Sequence, residues 1–392
     1  MTQQKQHAVG GLESVSTTDR VAALTGVRAV AALLVVLTHA AYTTGRYPQG
    51  YYGLALSRAE IGVPIFFVLS GFLLFRPWVK AAASGSPSPS VRRYAWHRVR
   101  RIMPAYVVTV LAAYALYHFR EAGPNPGHTW TGLLRNLSLT QIYADNYVYS
   151  FLHQGLTQMW SLAVEAAFYV VLPGLAWLLL VLLCRGKWRP ALLYIGLTGL
   201  FAITPAWLVL VHNTDFLPDG ARLWLPTYLA WFVGGMLLAV LETTGARAYA
   251  LVCVPLAVVS YFIASTPVAG EPTTSPALLS EALVKAVFYA AIATLIVAPL
   301  ALTGRVEDVR GERSDGRRSS WYSRVLGSRP MVFLGEISYE IFLIHLIVME
   351  LVTVEILRTP VYTGSMMALF IGTLVATVPP AWLLHRFTRV RE

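Results

Sequence analysis

Arg28 and His39 lie in the first long apolar stretch of the chain, where an ionisable side chain costs several kcal/mol to insert and is a functional candidate for that reason. They are eleven residues apart, which at about 100° per residue leaves them on one helix face. The same spacing separates them by roughly 16 Å along the axis. One end of that face would carry an always-charged anion binder and the other a proton acceptor. The competing reading has Arg28 snorkelling to headgroups and His39 resting at the interface.

Four further clusters have side chains of the right types. Within Trp160-Ser161-Leu162-Ala163-Val164-Glu165-Ala166-Ala167-Phe168-Tyr169, helical spacing puts Ser161, Glu165, Phe168 and Tyr169 on one stripe. Glu165 is expected at a depth similar to His39, where a carboxylate would fix the imidazole tautomer and stabilise the imidazolium, as in general-base machinery. The alternative is a structural carboxylate bonded to Tyr or Trp across helices. Ser70-Gly71 permits close helix contact or a kink, and Ser70 as a nucleophile would need a base that its own helix lacks. The stretch Arg92 to Arg101 holds five arginines and no acid. Arg98 and Arg101, three apart, share a face that could hold a phosphorylated ligand through forked donors, or the stretch could rest on anionic lipid. Ser338, Tyr339, Glu340 and His345 cluster near the end of the chain, as a proton relay, a coenzyme-facing helix, or packing. No metal site is expected.

The elements that position these residues follow from composition. With 56% hydrophobic and only 13% charged residues, the chain lacks the polar surface of a soluble globule, and a polytopic membrane protein, all-α, is expected. Apolar runs of the roughly 20 residues that a 30 Å hydrocarbon core demands recur ten times, at 22–41, 61–79, 102–120, 160–183, 190–211, 223–241, 249–265, 281–302, 331–355 and 366–385. Lys and Arg favour cytoplasmic loops. With the N-terminus inside, 23 of the 31 basic residues fall in inner segments and six in outer loops, so both termini are expected to be cytoplasmic and the membrane to be the plasma (inner) membrane. That uneven distribution accounts for the net charge of +11 without a nucleic-acid partner.

Residues 1–20 read as a disordered tail, polar and without the apolar stretch of a cleavable signal, and 21–392 as one transmembrane domain. The outer loop, about 121–159, is long enough to be functional and to cap an outward-facing cavity. The charged loop, about 303–330, reads as a flexible cytoplasmic connector. Cys184 and Cys253 are expected to be free thiols in a reducing compartment.

Five blocks in order resemble the acyltransferase-3 family of integral-membrane acyltransferases over essentially the whole chain. They are Arg28-(ten residues)-His39, Phe66-Phe67-Val68-Leu69-Ser70-Gly71-Phe72, Arg98-Val99-Arg100-Arg101-Ile102-Met103-Pro104, Trp160-Ser161-Leu162 with Glu165 and Phe168-Tyr169, and Ser338-Tyr339 with Phe342-Leu343-Ile344-His345. The resemblance implies about ten transmembrane helices and transfer of an acyl group, usually from cytoplasmic acyl-CoA as co-substrate with no bound cofactor, to a hydroxyl of a carbohydrate or glycosylated product. It implies His39 as the catalytic histidine with Glu165 beside it, and Arg28, Arg98 and Arg101 on the donor's phosphates. Ser70, Trp160, Ser161, Tyr169, Ser338, Tyr339 and His345 would support them. Phe342 stands where a tyrosine is common in that block. A glycan or glycolipid of the cell envelope is the preferred acceptor, with a glycosylated small molecule such as a macrolide as the alternative. A proton-coupled transporter or flippase is the rival from another class. The prolines at 104, 173, 205, 255 and 299 show none of the paired placement that transporter repeats would predict.

Overall fold

The computed structural model describes residues 3–120, 124–144, 146–150, 152–272, 276–302 and 320–389, the side chains of 3–19, 148 and 149 excepted. All regular structure among these residues is helical. In chain order the helices are α1 (Gln3–Thr43), α2 (Gly50–Ser57), α3 (Gly62–Ser84), α4 (Val91–His118), α5 (Trp130–Leu137), α6 (Tyr147–Ser150), α7 (Met159–Ala176), α8 (Pro190–Asn213), α9 (Leu225–Thr243), α10 (Ala250–Ala264), α11 (Leu279–Ala301), α12 (Trp321–Leu326), α13 (Arg329–Glu336), α14 (Ser338–Leu351) and α15 (Met366–Thr388). Most of the connector at 303–330 and the side chains of residues 1–19 of the tail lie outside the described residues, as do 121–123, 145 and 151 of the outer loop.

Among the described residues eight helices are long and apolar enough to cross a membrane. The ninth expected span is broken: α13 and the α14 segment through Ile356 meet at a 71° bend. The seventh expected span, 249–265, forms α10 of only 15 residues, about 22 Å of helix, which is short of the hydrocarbon thickness that the expected count of ten assumed. The bend sits at Ile337, where the Ser338 hydroxyl donates to the Gly335 carbonyl at 2.8 Å and satisfies an acceptor that the broken helix frees. Gly335 itself lies against α1, so close that a Cβ there would stand 2.0 Å from the Thr25 carbonyl oxygen.

Local signals set several helix ends. Ser90 accepts from the Arg93 backbone N–H to start α4, and Gly85, at φ 69°, takes the left-handed turn that ends α3. Since α4 begins at Val91 rather than near 102, Arg98 and Arg101 stand on a continuous helix.

The centre of the bundle is α3 against α9. A Cβ on Gly71 would lie 2.1 Å from the Phe232 carbonyl oxygen, and one on Gly235 1.9 Å from that of Val68, so the backbones touch as small residues allow in membranes. Phe232 is sandwiched between Phe67, with centroids 4.3 Å apart, and Phe168, at 4.0 Å.

Charged side chains tie the two ends. At one end Glu242 of α9 accepts from Arg20 at 2.8 Å and Arg76 at 2.6 Å. At the other, fully buried Arg58, in the 3-10 turn Arg58–Ile61, donates to the carbonyls of Ala264 at 2.9 Å, Ala269 at 3.1 Å and Gly270. Cys184 and Cys253 are free.

Candidate functional site

Two cavities lie along α1. The first, about 330 Å³, gathers Arg28 from α1, Ser70 from α3, Arg98 and Arg101 from α4, Ser161, Glu165 and Tyr169 from α7, and Ser338 and Tyr339 from α14. The Glu165 carboxylate accepts from the Tyr169 hydroxyl at 2.6 Å and from the Ser70 hydroxyl. Tyr339 donates to the Ile102 carbonyl at 3.0 Å and so ties α14 to α4. None of the three guanidinium groups has a hydrogen bond or ion pair among the described residues, and the Arg98 Nε is buried without a partner. Three cations thus face one carboxylate that two hydroxyls already hold. Unpaired charge partly out of water, as at Arg98, is costly, and fork-shaped donors suit phosphate oxygens, so the chemistry of this cavity suits an anion.

The second cavity, about 670 Å³, contains His39, Trp160, Tyr42, Tyr47, Glu60 and Glu350, and its walls include Tyr147, Leu152 and Gln154 from the long loop. The neighbours of the His39 and His345 imidazoles fix their tautomers. His345 Nδ1 faces only carbonyl oxygens, Phe342 at 2.8 Å and Ile341 at 3.2 Å, so it carries the proton and leaves Nε2 a lone pair. That lone pair faces His39 Nδ1 at 3.1 Å, and the same Nδ1 lies 2.9 Å from the Val35 carbonyl oxygen. Between two acceptors, His39 Nδ1 must be the N–H. The other nitrogen of neutral His39, Nε2, is therefore an unprotonated base with no hydrogen-bond partner among the described residues, on a residue that lines the larger cavity.

The sequence led us to expect Glu165 beside His39; among the described residues the hydrogen-bond partners of His39 are His345 and Val35, and those of Glu165 are Ser70 and Tyr169. The cavities abut at Val63, Ser161 and Phe342, which line both. Glu165 lies one helical turn beyond Ser161, about 6 Å deeper along α7, and so is on the arginine side of that boundary. The structure accordingly groups Arg28, Arg98, Arg101, Glu165, Ser70, Tyr169, Ser338 and Tyr339 around one cavity. His39 and Trp160 line the other, with His345 buried behind His39 and Ser161 at the boundary.

Glu60 is a cavity residue that the sequence reading passed over. It accepts from Lys285 Nζ at 2.6 Å and the Tyr289 hydroxyl at 2.8 Å. Its signal was an acid immediately before the second apolar run, facing Lys285, the one lysine inside an expected span. Among the described residues no group of three or more His, Cys, Asp or Glu is arranged to hold a metal ion.

Comparison with known proteins bears on this geometry. Residues 21–386 match the acyltransferase domain that defines the acyltransferase-3 family. The chain is 29% identical over 210 residues to the peptidoglycan O-acetyltransferase OatA of Listeria monocytogenes, covering 49% of this chain and 29% of that protein. It is 34% identical over 115 residues to protein 2 in the picA locus of Rhizobium radiobacter, covering 29% of this chain and 55% of the relative. The matches therefore span well under two thirds of either relative. No solved structure matches.

Proposed function

The chain belongs to the acyltransferase-3 family, and from that premise we propose that it moves a short acyl group from cytoplasmic acyl-CoA to a hydroxyl of a cell-envelope carbohydrate or glycolipid, with His39 as general base. The observation that carries the reading is the pair of abutting cavities, one with three unpaired guanidiniums and one with an unprotonated imidazole nitrogen.

The donor's phosphates would lie against Arg28, Arg98 and Arg101. Arg28 and His39 are on one continuous helix about 16 Å apart along its axis, a reach suited to the pantetheine arm passing Val63, Ser161 and Phe342 to bring its thioester to His39. His39 Nε2 takes the acceptor's hydroxyl proton as the oxygen attacks the thioester carbonyl, and the imidazolium returns it to the departing CoA thiolate. Through the second cavity's Nδ1–H contacts, His345 and Val35 hold the ring throughout. The excess of Lys and Arg in alternate loops supports putting the arginine cavity on the cytoplasmic side of the plasma membrane. Aromatic walls at Trp160, Tyr42 and Tyr47 suit stacking on sugar rings, and the relative named as a peptidoglycan O-acetyltransferase supports a glycan acceptor.

The test is release of free CoA from a panel of short acyl-CoAs by the purified protein in detergent, with envelope extract as acceptor. We expect donor-dependent release that His39→Ala abolishes and Arg98→Ala weakens mainly through donor affinity. If the wild type neither binds nor consumes any acyl-CoA, the reading is wrong and a transporter using the same buried charges takes its place. Ping-pong kinetics with a burst of CoA would mark an acyl-histidine intermediate instead of direct transfer.

A further inference from the structure

Glu60 sits in the turn Arg58–Ile61, ahead of α3, and that turn is tied down by the bonds of Arg58 to the carbonyl of Ala264, the last residue of α10, and to those of Ala269 and Gly270 in the loop that follows. Both partners of Glu60, Lys285 and Tyr289 on α11, bind its Oε1. Oε2 takes neither of these bonds, and the side chain keeps 24% of its surface open. Glu60 lines the same cavity as His39 and interacts with it electrostatically. The carboxylate is thus held through one oxygen, with the other free of those two bonds, in the chamber where the proposed acceptor waits.

We infer that Glu60 is an acceptor subsite: its Oε2 accepts a hydrogen bond from a second hydroxyl of a polyhydroxylated acceptor and so selects which hydroxyl reaches His39. The inference rests on the acyltransferase reading of the preceding section. An ion pair serving only to neutralise Lys285 would need no open oxygen in the cavity. A polyol supplies paired O–H donors at fixed spacing, and a charged acceptor discriminates strongly between a hydroxyl and its absence.

The experiment uses the full chain in detergent with acetyl-CoA, chitobiose, methyl glucoside and the monodeoxy analogues of methyl glucoside. Rates come from CoA release, and the position of the acetyl group on the product from NMR. Glu60→Gln is expected to raise the acceptor KM roughly ten- to a hundred-fold and to scatter the acetyl group over several hydroxyls. The affinity for CoA should stay within about twofold, since donor binding is expected at the arginine cavity, whose walls do not include Glu60. One monodeoxy analogue should be a poor acceptor for the wild type by a similar factor and show no such penalty with Glu60→Gln. Glu60→Asp, which keeps the charge beside Lys285 and shortens the reach, should change the acetylated position while folding as the wild type does. Unchanged acceptor KM and unchanged position in both variants, with an active wild type, would overturn the inference and leave the acyltransferase reading standing. A wild type that acetylates none of these acceptors and releases no CoA with any would overturn both.

Discussion

Arg98 and Arg101 stand three residues apart on one helix, yet their surroundings predict different costs of removal. Arg98 is partly buried, with an unpartnered buried Nε, while Arg101 is exposed at the cavity rim. A charge-assisted hydrogen bond shielded from water contributes about 1.5–3 kcal/mol, which at 1.4 kcal/mol per decade is a loss of about 10- to 150-fold in CoA affinity for Arg98→Ala. An exposed pair contributes about 0.2–1 kcal/mol, so Arg101→Ala should cost at most about fivefold and less in high salt. The sign for the ligand-free protein is the reverse. Removing Arg98 takes away a cation that faces Arg28 and Arg101, together with its unsatisfied donor, so the apo protein should melt at a higher temperature. Thermal unfolding in detergent with and without saturating CoA, beside calorimetric titration with CoA, dephospho-CoA and pantetheine, measures both effects. Arg98→Ala should show a higher apo melting temperature and a smaller CoA-induced rise. Equal losses from the two substitutions, or an Arg98→Ala protein that is destabilised without CoA, would refute the view of the cavity as an unpaired anion site.

Three other outcomes are expected. His345→Leu removes the lone pair that holds His39, and a misplacement of about 1 Å costs around a hundredfold, so kcat should fall by that order with CoA affinity unchanged; Glu165→Gln keeps the acceptor for Ser70 and Tyr169 and should cost less than tenfold in kcat, and the reverse ranking would restore Glu165 as the partner of His39. Gly71→Ala forces a methyl into the Phe232 carbonyl and should destabilise by about 1–3 kcal/mol, whereas Gly174→Ala, with nothing within 4 Å of its Cβ, should be neutral or stabilising in the same melting assay. Burial, with the charge of His128 adding to it, lowers His153 to about 4. The unfolded chain binds a proton there near pH 6.5 and the folded loop does not, so this stability is complete above pH 6.5 and is lost as pH falls toward 4; His153→Phe should flatten the melting temperature between pH 7 and 5, and an unchanged slope would count against it.

Apolar periodicity located every long helix, because a 30 Å slab imposes a length that sequence shows directly. It did not show the bend at Ile337 or the shortness of α10, which depend on how α13 approaches α1 through Gly335 and on where α10 stops packing. The arginine cluster was legible because three cations without acids nearby are expensive wherever they lie in such a chain. The orientation of His39 was not. Depth along a helix predicted Glu165 as its neighbour, but rotation and the boundary at Ser161 decide which chamber a side chain enters, and the nitrogen that meets His39 belongs to His345, 306 residues away. Glu60 was missed because it precedes its apolar run by one residue, where an acid looks like an ordinary flank.

Of the described residues around the two chambers, only Val63, Ser161 and Phe342 belong to both. Changes in one lining therefore leave the other nearly untouched. A descendant of this chain can remodel the aromatic and carboxylate walls around His39 to receive a different molecule while inheriting the arginine chamber intact. Diversification of such a protein is modular, and its fixed point is a valine, a serine and a phenylalanine at the join.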